Sequence, residues 1–384
     1  MMNSILHMDL DSFFVSVERL KNSQLNNLPL IIGGKSNRGV VSSCSYEARA
    51  FGVKSAMPMR MAKMLCPHAV VLSGDMESYS QHSHLVTEII RDNVPLFEKA
   101  SIDEFYVDLT GMDRFYGCHK WAIELRQKIM QESGLPISFG LSVNKLIAKM
   151  GTNEGKPNGA IRVPQGEEKA FISPLNVGKI PMVGQKTYQT LSAMGVRTIN
   201  TLQQIPVPLL EREFGRSGRV LHEKSHAIDR SEVIPYSEQK SASKERTFQQ
   251  DTIDVDYLRA KLVSMTEDLA YDLRKQQKLT ACVTVKIRYS DFNTVSRQMR
   301  IPYTSHEDTL IRTAKGIFEQ LYDRRVLVRL IGIRFSHLVR GNFQIDLFED
   351  NTKTLKLHQA KDLLRNKYGE QVVRRAVSMS KPRM

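Results

Sequence analysis

Cysteine is scarce in this chain of 384 residues: only Cys44, Cys66, Cys118 and Cys282 occur, with no C-x-x-C pair. That spacing excludes a zinc ribbon or a disulfide framework and fits reduced thiols in a cytoplasmic protein. Long apolar runs are also missing. No stretch reaches the roughly eighteen apolar residues of a membrane-spanning helix, so no membrane partner is expected. Met1 to Leu10 meets Asp9 before an apolar segment long enough for a signal peptide can form. Neither an internal repeat nor a low-complexity tract is present, which excludes solenoid and fibrous architectures.

Charge, by contrast, is plentiful and uneven. The net charge is +14, and residues 240–345 and 352–384 each contribute +7. Such clustering favours a polyanionic partner, because every neutralised phosphate releases condensed counterions. The 41% hydrophobic content is ordinary for a soluble protein, and the length implies about two to four domains.

Along the chain, Ser4–Leu10 reads as a strand and Asp11–Lys21 as a helix. Pro29–Gly33 and Gly39–Ser42 read as a short antiparallel pair. Phe97–Ile102 and Phe105–Leu109 are β-type runs separated by Asp103 and Glu104, a hairpin with two carboxylates at its tip. Ile137–Ser142 reads as a strand and Lys145–Met150 as a helix. From Pro174 to Asp229 the pattern is all-helical, and the polar stretch Ser231–Ser243 reads as a linker. A βαββαβ order follows, and Leu355–Val377 has helical spacing with many bases.

Phosphoryl transfer needs the reacting oxygens held in line and the developing charge neutralised, which two Mg²⁺ ions roughly 3.5–4 Å apart can do. Magnesium prefers carboxylate and carbonyl oxygens. Asp9 at a strand end and Asp103-Glu104 at a hairpin tip fit that need. Their local sequence is far more specific than their type. His7-Met8-Asp9-Leu10-Asp11-Ser12-Phe13-Phe14, Tyr46-Glu47-Ala48-Arg49, Ser101-Ile102-Asp103-Glu104 and Lys156-Pro157-Asn158-Gly159 resemble, in order and spacing, the motifs of Y-family DNA polymerases, and within them the DinB branch. The resemblance runs from residue 4 to about residue 348.

It implies an α/β multidomain fold, a right-hand polymerase. A mixed α/β palm would span 1–10 and 74–165, small fingers 11–73, a helix-hairpin-helix thumb 166–231 and a linker 232–242. A βαββαβ little finger would span 243–342, and a clamp-binding peptide with a basic tail 343–384. It also implies a low-fidelity translesion polymerase acting as a cytoplasmic monomer on primer–template DNA and deoxynucleoside triphosphates. Asp9, Asp103 and Glu104 would be catalytic and, with the Leu10 carbonyl, would ligate two Mg²⁺ ions. Ser43, Tyr46, Arg49 and Lys156 would hold the triphosphate, and Phe14 would exclude the ribose 2′-hydroxyl. Asp11 and Glu18 are read as structural acids.

Lys179 to Lys186 has the shape of a helix-hairpin-helix turn, with Gly184 and Lys186 toward DNA phosphates and Met182 where a glycine is usual. Further phosphate contacts are expected from Ser243, Lys244, Arg246, Arg288, Arg297, Arg300 and Arg329. Gln344-Ile345-Asp346-Leu347-Phe348 resembles the peptide that binds the bacterial sliding clamp, through Gln344, Leu347 and Phe348. Residues 352–384 are expected to contact DNA or to be solvated. A non-catalytic DNA-binding scaffold and a palm-type nucleotidyl cyclase are the competing classes. The cyclase has no need of the thumb, the basic module or the clamp peptide.

Overall fold

Ile5–Leu10 is buried along its whole length and forms β1, the middle strand of a five-stranded sheet. The computed structural model describes residues 3–34, 36, 38–112, 117–341, 352–370 and 372–379. It divides into two units, Met1–Ser237 and Glu238–Met384.

In the first unit β1 is followed by α1 (Phe13–Lys21), β2 (Leu30–Gly33), β3 (Val41–Cys44), α2 (Tyr46–Ala50), α3 (Met59–Leu65) and β4 (Val70–Leu72). Next come α4 (Met76–Asn93), β5 (Leu96–Lys99), β6 (Glu104–Asp108), α5 (Cys118–Ser133), β7 (Ile137–Ser142), α6 (Lys145–Gly155) and β8 (Ala160–Arg162). The large sheet has the order β5-β6-β1-β7-β8, and a small one the order β3-β2-β4. Strand alternation sends Leu6, Met8 and Leu10 into a core with Val86 and Ile90 of α4 and Leu125 and Ile129 of α5. Each such side chain contributes about 1.5–3 kcal/mol by leaving water. Ile5, His7 and Asp9 face the other way, and there His7 meets Thr152 of α6.

The expected helix Lys145–Met150 runs on to Gly155 because α6 packs directly on β7. A Cβ at Gly140 would lie 2.1 Å from the Ala148 carbonyl oxygen, so only glycine admits the contact. The first strand of the acid hairpin is shorter than expected. Ser101 Oγ accepts from the backbone N–H groups of Asp103 and Glu104, and this turn chemistry ends β5 at Lys99. Five short helices complete the unit: α7 (Glu168–Ile172), α8 (Gln185–Ala193), α9 (Ile199–Gln203), α10 (Val207–Phe214) and α11 (Arg216–Ser225). Leu191, Ile199, Leu202, Leu210 and Leu221 bury together with Leu146 and Met150 of α6.

The second unit has the order β9 (Ser241–Thr252), α12 (Val255–Lys275), β10 (Lys278–Tyr289), β11 (Thr294–Thr304), α13 (Glu307–Leu321) and β12 (Val328–Arg340). Its sheet order is β11-β10-β12-β9, with the two helices packed on one face through Leu258, Leu262, Leu269, Leu310 and Ile317. The tail forms α14 (Thr352–Tyr368) and a short 3-10 turn at Ala376–Met379. Lys356 and Lys367 are exposed, as a solvated tail would have them, whereas three other bases turn inward. Lys361 and Arg375 donate to Glu307 at 2.6 and 3.2 Å, Arg374 to Asp268 at 3.0 Å, and Arg375 to Asp308 at 2.7 Å. Arg274 of α12 completes the network by gripping Asp362. Glu267 and Glu307 are fully buried beneath this cover. Lys361, Arg374 and Arg375 thus neutralise acids of their own unit.

Candidate active site

Antiparallel pairing of β1 with β6 sets Asp9 directly opposite Glu104, and the N–H of Leu10 donates to the carbonyl of Asp103 at 3.1 Å. The three acids therefore sit together at one end of two interior strands. Ser101 Oγ donates to Asp103 Oδ1 at 2.5 Å, and the other two acids each hold a lysine of the α6 region. Lys156 Nζ contacts Asp9 Oδ1, while Lys149 Nζ is 2.6 Å from Glu104 Oε2. Lys149 and Lys156 are seven residues apart, two helical turns, and so emerge on one face.

Burial, 6% exposure, is the main force that pushes the Asp9 carboxyl up from 3.8 to about 7. Lys156 opposes the rise, and Glu104 and Asp103 add to it. His7 is held neutral, first by burial and then by Lys149, Lys156 and Lys145. Among the described residues no three His, Cys, Asp or Glu side chains already surround one point as metal ligands would. The donor set nonetheless suits a hard divalent ion. It offers three carboxylates on adjoining strands, one of them buried against its own preference.

Seven of the expected residues line a single cavity of about 210 Å³: Asp9, Leu10 and Asp103 with Phe14, Ser43, Arg49 and Lys156. Tyr46 lies beside it, with the Arg49 guanidinium 4.8 Å over its ring. Its hydroxyl donates to Asp11 at 3.3 Å, and burial with the Asp11 charge keeps that hydroxyl protonated. Asp11 is 2% exposed and also accepts from Ser138 Oγ at 2.8 Å and from the Asn158 N–H at 2.7 Å. It ties the Tyr46 helix to the loop that carries Lys156. Phe14 is stacked on Tyr79, with ring centres 4.2 Å apart and planes 11° from parallel, and the Tyr79 hydroxyl donates to Glu18 at 2.7 Å.

Lys149 and Tyr79 escaped the sequence reading. The seven-residue interval to Lys156 was a usable signal for Lys149. Tyr79 is 65 positions from Phe14 and carried none.

The expected DNA contacts are spread more widely. Gly184 caps α8 with open space around it, and Lys186 is exposed. Met182 adopts a glycine-like φ of 79° and is 88% exposed. Lys244 and Arg246 oppose Ile333 and Ile331, which puts them on the helix-covered face of the second sheet. Lys244 is 3.6 and 3.5 Å from Asp268 and Asp272. Arg329 lies 4.7 Å over the Phe292 ring. On the open face alternate Lys286 and Arg288 of β10 and Arg334 of β12. Gln344, Leu347 and Phe348 lie outside the described residues. No helix among the described residues is long and apolar enough to cross a membrane.

Residues 8–153 match the impB/mucB/samB family, residues 239–347 match that family's C-terminal domain, and residues 178–229 match the thumb domain of DNA polymerase iota. A DNA polymerase IV of Dehalococcoides mccartyi strain 195 is 37% identical over 372 residues, covering 95% of each chain. One from Treponema denticola is 34% identical over 381 residues, covering 98% of this chain and 96% of its own. Among solved structures, a Y-family DNA polymerase chimera of Dbh and Dpo4 has a TM-score of 0.75 at 22% identity, over 88% of this chain and all of the other. DinB from Sulfolobus solfataricus has a TM-score of 0.62 at 25% identity over the same shares.

The chain belongs to the impB/mucB/samB family, the Y family of DNA polymerases. It is a DNA-directed DNA polymerase of the translesion type. Its five-stranded sheet fits the palm, the helices α8 to α11 fall within the thumb-domain match, and the βαββαβ sheet with its helices fits the little finger.

Proposed function

We propose that Asp9, Asp103 and Glu104, with the Leu10 carbonyl, hold two Mg²⁺ ions and that the chain extends a primer 3′ end at this site. The observation that carries the reading is the Asp9–Glu104 pairing beside Asp103, where lysines answer a charge that burial disfavours. When bound, the ions neutralise charge on the attacking and leaving oxygens. The rest belongs to the protein. Arg49 offers a planar fork to phosphate oxygens, and Ser43 and Tyr46 add hydroxyls. Lys156 exchanges Asp9 for the triphosphate. Phe14, braced by Tyr79, closes the space under the sugar.

The duplex is held through its backbone by the α8 N-terminus with Gly184 and Lys186, and by the open face of the little finger with Arg288 and Arg334, where Lys286 is already paired with Glu245. Lys244 is spent on Asp268 and Asp272 and plays a lesser part there. Gln344, Leu347 and Phe348 tether the enzyme to a sliding clamp, raising its concentration at primer ends. Primer extension with Mg²⁺ and deoxynucleotides tests the site. Asp103→Ala is expected to abolish extension, and activity equal to wild type would reject the placement of the metals.

A further inference from the structure

Lys149 donates to Glu104 Oε2, and the two side chains are 24% and 23% exposed. His7 Nε2 lies 4.0 Å from the same oxygen, fully buried and without a hydrogen-bond partner. The other ring nitrogen meets Thr152 Oγ1 at 2.8 Å. That hydroxyl also faces the carbonyl oxygens of His7 and Ala148, each at 3.0 Å, and carbonyls only accept. At 4.0 Å His7 Nε2 makes no hydrogen bond to Glu104, so Lys149 is the side chain that holds this carboxylate. If Lys149 leaves, Glu104 needs another cation.

Lys149 has somewhere to go. It lines a second cavity, of about 480 Å³, between α6 and the thumb hairpin, together with Asn153, Met182 and the Lys179–Glu154 ion pair. A dication entering between Asp9 and Glu104 meets two ammonium groups already in place, and like charges repel. Lys156 can move to a triphosphate. We propose that Lys149 is a positioning residue with two stations: on Glu104 in the ion-free enzyme, and on the last phosphate of a primer strand lying in this groove once a divalent ion takes Glu104. The proposal rests on the metal-site reading above. It makes ion binding conditional on primer, because the ammonium leaves more readily when a phosphate awaits it.

The test titrates Mn²⁺ into the full-length, nucleotide-free chain by electron paramagnetic resonance, with and without primer–template. Wild type is expected to bind Mn²⁺ more tightly when primer is present. Lys149→Met is expected to bind Mn²⁺ about tenfold more tightly than wild type without DNA, and to lose the primer effect. Its primer–template affinity should fall less steeply with salt, by about one unit of log–log slope, and Lys149→Arg should keep the wild-type slope. Unchanged or weaker Mn²⁺ binding by Lys149→Met, with an unchanged salt slope, overturns the two-station role while leaving the metal site intact. A wild type that binds no Mn²⁺ at all overturns both.

Discussion

Asp9 and Glu104 oppose one another across the β1–β6 ladder, yet each carboxylate is held by its own lysine, Lys156 for the first and Lys149 for the second. On the metal-site proposal these acids serve a ligand and not stability. Asp9→Asn removes a charge that burial opposes. In chelator the variant is therefore expected to melt higher than wild type, by about 1 kcal/mol, while primer extension is lost. Thermal denaturation checks it, and a lower melting temperature contradicts it.

The Phe14–Tyr79 stack predicts sugar selectivity. Phe14→Ala is expected to relax discrimination against ribonucleotides by about 10–100-fold, with deoxynucleotide incorporation surviving. Tyr79→Leu, which removes the ring behind Phe14, should relax it part of the way. Single-nucleotide incorporation with matched ribo- and deoxynucleotides measures both, and unchanged selectivity in Phe14→Ala refutes the gate.

Asp11 joins Tyr46, Ser138 and Asn158. Asp11→Ala strands Ser138 Oγ and the Asn158 N–H without their acceptor, at a cost of about 2–3 kcal/mol. Because the loop carrying Lys156 loosens with them, the KM for incoming nucleotide should rise more than kcat falls. Steady-state kinetics separate the two, and a change confined to kcat argues against this role.

The tail makes the little finger's stability depend on residues beyond it. Ending the chain at residue 351 would leave Glu267 and Glu307 buried without Lys361 and Arg375, a loss of about 3–5 kcal/mol. Urea denaturation of the full and shortened chains gives the difference. Equal midpoints would mean that the tail is dispensable.

The same interface should respond to acid. His358 is 2% exposed, and burial, then Arg274, hold its imidazole at about 4, below the usual 6.5. Between those values the folded state binds fewer protons than the unfolded one. The contribution is therefore intact above pH 6.5 and is lost as pH falls toward 4, by about 1 kcal/mol at pH 5.5. His358→Leu should flatten that slope in melts followed against pH.

Local patterning carried much of the architecture. Asp11–Lys21 was legible as a helix, which begins at Phe13, and Ile137–Ser142 as a strand. Motif order named seven residues that line one cavity, Leu10 among them for its backbone carbonyl. What stayed hidden depends on partners remote in sequence. Arg375 neutralises Glu307 across 68 positions, and Asp11 meets Asn158 across 147. The three-residue strand β8 was missed because it is too short for a periodic signal and is defined by its parallel partner β7. Lys244 and Arg246 were judged by charge alone, whereas the register of β9 decides which face they occupy.

The most direct test of the account is anomalous diffraction from crystals of the chain with primer–template, a non-hydrolysable deoxynucleoside triphosphate and Mn²⁺. Two peaks roughly 3.5–4 Å apart, ligated by Asp9, Asp103 and Glu104 with both lysines withdrawn, are the expected result. Peaks elsewhere, or Lys149 and Lys156 still seated on the carboxylates with no ion between them, would contradict it.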